Sequence, residues 1–470
     1  MSRPRTRERV VVVGAGMAAV RLAQDLVAGG RHDVTMLGDE PHAPYNRILL
    51  SAVLEGTHDP ASLAMPLPDE VDLRLGTRVV DVHRAEREVE LAERSRVPYD
   101  RLVLATGSIP TLPPIRGLVR VDGRLDERVH AFRSLEDCRR LDAAVPGARR
   151  AVVVGGGLLG LQVARALAVR GLATEVVEGG EHLLRSQVGP SAGSVLARGL
   201  GRLGTSVYTG ARAVRLTPTG PTCRLSLDNG HALEDLDLVV LTAGGRPSTA
   251  LARRAGLEVR RGVVVDEHLR TSDERISAIG DCAQRGDRTT GFVPPAWEQA
   301  GVLARHLRGE DATYDGSRVV ARLRATGLDV AVLGEPERTA GEVVEVTNPV
   351  TGSHRRLVVR DGRVVAATFV GDLSRIGLVT QHFDRGTVLG PTEPGHLLMP
   401  DRATAATPVV LPDDAEVCSC AGVSAGAVRA CASLDEVRAT TRATTGCGGC
   451  SDAVRQLLAT RTTQLEGTPR

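Results

Sequence analysis

Val10-Val11-Val12-Val13-Gly14-Ala15-Gly16-Met17-Ala18-Ala19 is the stretch on which the fold of this chain turns. Four β-branched residues in a row make a buried strand, and the residues behind them form the G-x-G-x-x-A pattern that leads a strand into a helix. Gly14 permits the tight turn, Gly16 lets the backbone approach a pyrophosphate, and Ala19 is small enough for close helix–strand packing. Met17 and Ala18 open the helix, whose first N–H groups and positive dipole end face the phosphates. A second strand over 33–37 ends in Gly38-Asp39-Glu40, where a carboxylate can accept hydrogen bonds from a ribose. Asp39, nearer the strand end, is the preferred acid, with Glu40 as its competitor. A glycine pattern alone is weak evidence. Strand, glycine turn, helix, strand and acid in this order are specific.

The same unit recurs about 140 residues later in Ala151-Val152-Val153-Val154-Gly155-Gly156-Gly157-Leu158-Leu159-Gly160. Gly155, Gly157 and Gly160 complete a full G-x-G-x-x-G, and Leu158 and Leu159 begin the helix. The next strand, 174–177, ends at Glu178, 21 residues beyond Gly157, close to the ~20 expected for a ribose acid. A carboxylate there accepts from the free 2′-hydroxyl of NADH and repels the 2′-phosphate of NADPH. Residues 179–181 are Gly-Gly-Glu and bring no arginine, so NADH is favoured. Alternating β and α segments predict an α/β fold with two Rossmann-like dinucleotide-binding domains. Residues 320–375 differ: 357–359 and 363–369 read as strands joined by an Asp361-Gly362 hairpin turn, the mark of a small α+β domain. Residues 391–415, rich in Pro, Thr, Ala and Asp, suit a linker.

Two more motifs belong with the first glycine turn. Tyr99-Asp100-Arg101-Leu102-Val103-Leu104-Ala105-Thr106-Gly107-Ser108 is a buried strand ending in Thr106-Gly107, and Thr271 to Asp281 reads Thr-x6-Ala-x-Gly-Asp. With these, the chain resembles the two-dinucleotide-fold flavoproteins of the pyridine nucleotide–disulfide reductase superfamily. The resemblance implies that Gly280-Asp281 closes an FAD site, with Asp281 bonding the ribityl chain. It implies that Ala243-Gly244-Gly245-Arg246-Pro247 links the second domain back to the first. It also implies that the helix opened by Val293-Pro294-Pro295 points its N-terminus at the flavin pyrimidine edge, favouring the anionic reduced form. Trp297 in that helix reads as packing. Pro44-Tyr45-Asn46-Arg47-Ile48-Leu49-Leu50-Ser51 resembles the flavin-domain loop of assimilatory nitrite reductase large subunits and of rubredoxin and ferredoxin reductases. There the matching arginine contacts FAD, which makes Arg47 a candidate and Ser51 a weaker one; a surface salt bridge is the other reading of Arg47. Ala52 and Gln162 stand where some ferredoxin reductases carry a Lys–Glu pair.

The eight cysteines are unevenly placed. None precedes Cys138, which excludes sulfur-based flavin chemistry on the N-terminal side. Cys418-Ser419-Cys420 is followed 27 residues later by Cys447-Gly448-Gly449-Cys450. Four thiolates so spaced suit a [2Fe–2S] cluster or a structural zinc, and a flavin paired with a one-electron centre argues for iron. The segment, with Thr444-Thr445-Gly446 before Cys447, resembles the bacterioferritin-associated ferredoxin-type domain. That resemblance implies a small helical C-terminal domain in which Cys418, Cys420, Cys447 and Cys450 hold [2Fe–2S]. Cys138, Cys223, Cys282 and Cys431 remain as bystanders. The expected division is 1–120 with 245–310 for FAD, 121–244 for NAD, 311–395 for the α+β domain, 396–415 for the linker and 416–464 for the cluster.

Composition narrows the function further. The 470 residues hold 59 basic and 57 acidic side chains, and every basic one is arginine. A net charge of +2 leaves no electrostatic footprint for nucleic acid or a membrane surface. The absence of lysine removes Schiff-base and P-loop chemistry. No apolar run reaches the length of a membrane helix or signal-peptide core, so a cytoplasmic protein is expected. The resemblance covers nearly the whole chain. It implies an NADH-dependent FAD/[2Fe–2S] oxidoreductase with no catalytic acid or base, passing electrons to a protein partner. The favoured partner is assimilatory nitrate reductase, with this chain as the electron-transfer subunit. The C-x5-C…C-x3-C set of sirohaem reductases does not occur in these residues, so nitrite reduction is not expected of them. A free-standing NADH:ferredoxin or rubredoxin reductase and an NADH/redox-sensing module are the alternatives.

Overall fold

The computed structural model describes residues 7–317, 320–399, 411–418, 421–446 and 450–466. Val10–Val13, buried on both sides, lies at the centre of a five-stranded parallel sheet because no face of it tolerates water. The order across the sheet is Ile276–Ala278, Arg101–Leu104, Glu8–Val13, His32–Leu37 and Asp72–Arg74. Val13 sits between Leu37 and Leu104 in register, so the strand ends that carry the glycine turn, the acids and Thr106-Gly107 come out at one edge. Ala278 pairs with Leu104, which adds the Gly280-Asp281 turn to that edge although it lies far along the chain. The core is completed by helices Met17–Ala28 and Val293–Leu307. An antiparallel meander of Val79–His83, Glu88–Leu91 and Arg96–Pro98, absent from the expectations above, packs Val82, Val89, Leu91 and Val97 into the same core.

The second parallel sheet repeats the plan: Thr205–Thr209, Ala173–Glu178, Arg150–Val154, Leu238–Leu241 and Val129–Ala131, again with an antiparallel three-stranded sheet beside it. Only two short segments, Ser108–Pro110 and Gly245–Pro247, carry the chain between these two units, and they pair antiparallel as a ribbon. A third sheet is wholly antiparallel, in the order Val320–Ala325, Leu328–Leu333, Arg363–Val370, Ser353–Arg360 and Glu342–Asn348. Its central hairpin turns at Asp361 and Gly362, both with positive φ (51° and 69°), the geometry that makes Asp-Gly a hairpin signal. This third unit is fastened to the second by Arg165, buried in helix Leu158–Val169, which donates to the carbonyls of Thr326 (3.0 Å) and Leu203 (3.1 Å).

The C-terminal residues form a separate small core. Strand Glu416–Cys418 pairs with Val423–Ser424, and helices Ala425–Arg429, Leu434–Thr440 and Ser451–Glu466 enclose Val428, Val437 and Val454 with Cys418, Cys431 and Cys450. Among the described residues no helix is long and apolar enough to cross a membrane.

Candidate functional site

A cavity of about 800 Å³ opens where the first sheet's strand ends meet the second unit. Gly14, Gly16, Met17, Ala18, Asp39, Arg47, Thr106, Gly107 and Asp281 line it. So do Leu158, Leu159 and Gln162 at the start of the second unit's helix, Val293, Pro294 and Ala296 at the start of Val293–Leu307, and Cys418 and Cys450 from the C-terminal segment. One space therefore touches the first glycine turn, the helix that follows the second, and two of the four clustered cysteines.

The two glycine turns are built alike. Gly14 has φ +111° and Gly155 φ +122°, and a Cβ on either would strike the neighbouring strand's backbone, 2.3 Å from the Ala105 carbonyl and 2.6 Å from the Thr242 carbonyl. The middle glycines behave oppositely. A Cβ on Gly16 or Gly157 would meet nothing within 4 Å. The strands thus demand glycine at the first position, while the open space at the second is the cradle a phosphate needs for close approach to the backbone. The residues fit a dinucleotide at each turn.

The acids are placed distinctly. Glu40 accepts from the Tyr45 hydroxyl (2.7 Å) and from Arg47 (3.0 Å), which ties it to the 44–50 loop. Asp39 is exposed at the rim and paired in two bonds with Arg78 at 2.9 Å. Arg47 also stacks 5.3 Å over the Tyr45 ring, so it both forms an ion pair and walls the cavity. Ser51 is buried in helix Leu50–Glu55, and Ile48 and Leu50 line the cavity near it instead. Asp281 is engaged by a residue that sequence reasoning missed. Arg133 donates to its carboxylate at 2.6 Å and also to Ser108, while the Arg133 Nε is buried without a partner. An arginine and a carboxylate facing a cavity, with one N–H left over, suit a ligand rich in hydroxyl and phosphate oxygens. The only local signal for Arg133 is its place ahead of the Ser134/Asp137 capping box of helix Leu135–Ala144.

At the second turn, Glu178 accepts from the backbone N–H groups of Gly156 (2.7 Å) and Gly180 (2.6 Å), which aims its carboxylate into the glycine loop. The three residues after it carry no arginine, yet two approach in space. The Arg212 side chain lies over Gly179 and that of Arg185 over Gly180, each about 3 Å from where a Cβ would stand. Gly155, Gly157, Gly160, Glu178 and Gly244 belong to this turn and its return strand, outside the lining of the large cavity.

The bystander thiols are where a redox role is hardest. Burial pushes Cys138 up to about 12 and Cys223 up to about 11, and raises fully buried Cys282 as well. Trp297 donates to the Met17 carbonyl (3.2 Å), a packing role. Of the clustered cysteines, Cys418 and Cys450 are buried in one core, and the Cys450 sulfur accepts the Thr444 N–H at 3.2 Å. Cys420 and Cys447 lie outside the described residues. Buried thiolates that accept backbone N–H bonds suit an iron–sulfur ligand set.

Residues 8–300 match the family described as pyridine nucleotide-disulphide oxidoreductase, and residues 416–460 match the BFD-like [2Fe-2S] binding domain. The chain is 32% identical over 470 residues to nitrite reductase [NAD(P)H] of Bacillus subtilis (strain 168), covering 96% of this chain and 57% of that protein. It is 29% identical over 477 residues to the assimilatory nitrate reductase electron transfer subunit of the same organism, covering 96% and 59%. The chain thus spans less than three-fifths of the length of these curated relatives. Among solved structures, the covalent putidaredoxin reductase–putidaredoxin complex superposes with a TM-score of 0.74 at 27% identity, covering 84% of this chain and 96% of that one.

Proposed function

The chain belongs to the pyridine nucleotide-disulphide oxidoreductase family, and on that premise we propose that it delivers electrons from NADH to a partner protein, assimilatory nitrate reductase being the favoured acceptor. It is an NAD(P)H-dependent flavoprotein oxidoreductase with FAD and a [2Fe–2S] centre as its cofactors. One observation carries the proposal: a single cavity is walled by the first glycine turn, by the start of the second unit's helix and by Cys418 and Cys450. The Gly14–Ala18 turn, Asp281 and Arg133 would hold a flavin there, and the chemistry it would supply when bound is two-electron exchange with a nicotinamide and one-electron exchange with an iron–sulfur centre.

The chain's own residues supply binding and orientation. The Gly14–Ala18 turn would hold the pyrophosphate, with Asp39 at the ribose and Asp281 and Arg133 on the polyol and phosphate oxygens. Leu158 and Leu159 would present the nicotinamide, with Glu178 on the adenosine ribose. No acid or base is asked to move a proton on a substrate. Of the two Bacillus subtilis relatives described above, one is named nitrite reductase [NAD(P)H] and the other assimilatory nitrate reductase electron transfer subunit. The second is favoured because the electron transfer in its name is the work that the lining of the cavity supports.

The test is anaerobic mixing of the purified protein with NADH. Flavin absorbance should bleach first and cluster absorbance second, and adding nitrate reductase with nitrate should restore both. A cluster left oxidised by excess NADH would overturn the electron-delivery reading. Reoxidation by ferredoxin but not by nitrate reductase would replace the named partner.

Glu178 carries a second expectation. Loss of a charged hydrogen-bond acceptor at the ribose costs about 1.5–3 kcal/mol, so Glu178→Ala should lower kcat/KM for NADH roughly tenfold to a hundredfold. Arg185 and Arg212 remain beside the turn, so NADPH should lose far less. An unchanged NADPH/NADH ratio would place the ribose elsewhere.

A further inference from the structure

We propose that Asn46 clamps the cysteine-bearing C-terminal segment against the flavin cavity and so sets the path by which electrons leave it. This rests on the electron-delivery reading above. Asn46 is 3% exposed, and its two amide atoms do different work. Oδ1 accepts the Ile48 N–H at 3.1 Å, closing the short turn Arg47–Leu49. Nδ2 donates to the carbonyls of Thr445 at 2.5 Å and Gly446 at 2.9 Å. The assignment is forced by chemistry, since Ile48 offers only a donor here and the two carbonyls only acceptors.

A second contact lands on the same patch. Arg442 donates to the Ala64 carbonyl at 2.5 Å, and Ala64 pairs with Tyr45 as an antiparallel bridge, flanked by Asn46 N–H to Leu63 carbonyl at 2.8 Å. The 44–47 loop thus has two sides. Tyr45 and Arg47 wall the cavity, and Asn46 reaches across to the residues just ahead of Cys447. Two carbonyls held by one buried amide make the contact specific, because an unpaired partner on either side would be left desolvated. With this clamp closed, a cluster on Cys418 and Cys450 abuts the cavity, and an acceptor protein meets the C-terminal segment rather than the flavin.

The test separates the two jobs of Asn46. Asn46→Asp keeps an oxygen for the Ile48 N–H but sets a carboxylate against two carbonyl oxygens. FAD content and the NADH–ferricyanide rate, read directly from the flavin, should stay at wild-type values. The rate of cluster bleaching after NADH should fall by about tenfold or more, as expected for a misplaced redox partner. In protein without NADH, amide hydrogen exchange over 442–446 and 63–65 should rise. Arg442→Ala, which leaves the 44–50 loop untouched, should shift both readouts the same way. Wild-type exchange and bleaching in Asn46→Asp would overturn the proposal, as would loss of FAD from it, which would place Asn46 in the flavin site. If the wild-type cluster is never reduced by NADH, the electron-delivery reading fails, yet the exchange contrast still decides the clamp.

Discussion

Cys450→Ser protein should retain its flavin but carry no [2Fe–2S] chromophore, and its delivery of electrons to a protein acceptor should fall by at least about a hundredfold, since even outer partners of a metal ligand cost 10–100-fold. Cys450 is buried in the C-terminal core, where its sulfur accepts the Thr444 N–H and faces the cavity. A serine at this place is protonated at neutral pH, too hard a donor for iron, and leaves three thiolates. The flavin turn lies in another core, so NADH–ferricyanide turnover should persist. Iron analysis gives the check: about two irons per wild-type chain and almost none in the variant. One zinc per chain in both proteins would assign the cysteines a structural metal, and full cluster absorbance in Cys450→Ser would remove this residue from the ligand set.

Gly14→Ala and Gly16→Ala should fail in opposite ways. Gly14 has φ +111° and a Cβ there falls 2.3 Å from the Ala105 carbonyl oxygen and 2.8 Å from its carbon, just past the end of strand Arg101–Leu104, where the Ala105 N–H is held by the Val13 carbonyl at 2.9 Å. Backbone strain and overpacking together cost on the order of 3 kcal/mol or more. The variant should melt several degrees lower even as apoprotein and be isolated nearly free of FAD. At Gly16 the methyl meets nothing within 4 Å. The apoprotein should melt like the wild type, but the methyl occupies the space of the approaching phosphate, and FAD affinity should drop roughly a hundredfold, a loss of about 2.7 kcal/mol. Thermal melts with and without added FAD separate the two. Equal apoprotein melting temperatures for Gly14→Ala and Gly16→Ala would refute this division of labour.

The elements legible in the sequence were those whose residues act on near neighbours. Each glycine turn lies with its own strand and helix within about thirty residues, a spacing dictated by a single βαβ unit. Asp361-Gly362 could be read because positive φ at both positions is a local demand. The meander of Val79–His83, Glu88–Leu91 and Arg96–Pro98 was missed because its strands are only five, four and three residues long, too short for an alternation to stand out. Arg133 was missed because its partner Asp281 is 148 residues away and no periodicity connects them. Arg212 escaped for the same reason, since it comes from 33 residues beyond Gly179, whereas Arg185 is five residues beyond Gly180 and folds back over a glycine that leaves room for it. Asn46 lies inside the Pro44–Ser51 stretch, but its use depends on carbonyls 399 and 400 residues away.

That separation has a kinetic meaning. Where a reductase and its iron–sulfur protein are separate chains, their encounter is second order and slows on dilution. In the proposed clamp two parts of one chain are joined, so a flavin-to-cluster step would see an effective concentration on the order of millimolar, whatever the amount of protein present. Dilution leaves that step untouched, and a soluble ferredoxin competes for it only above such concentrations. On the electron-delivery reading proposed above, the dependence of turnover on protein concentration would then fall on the last encounter, between the C-terminal segment and its acceptor.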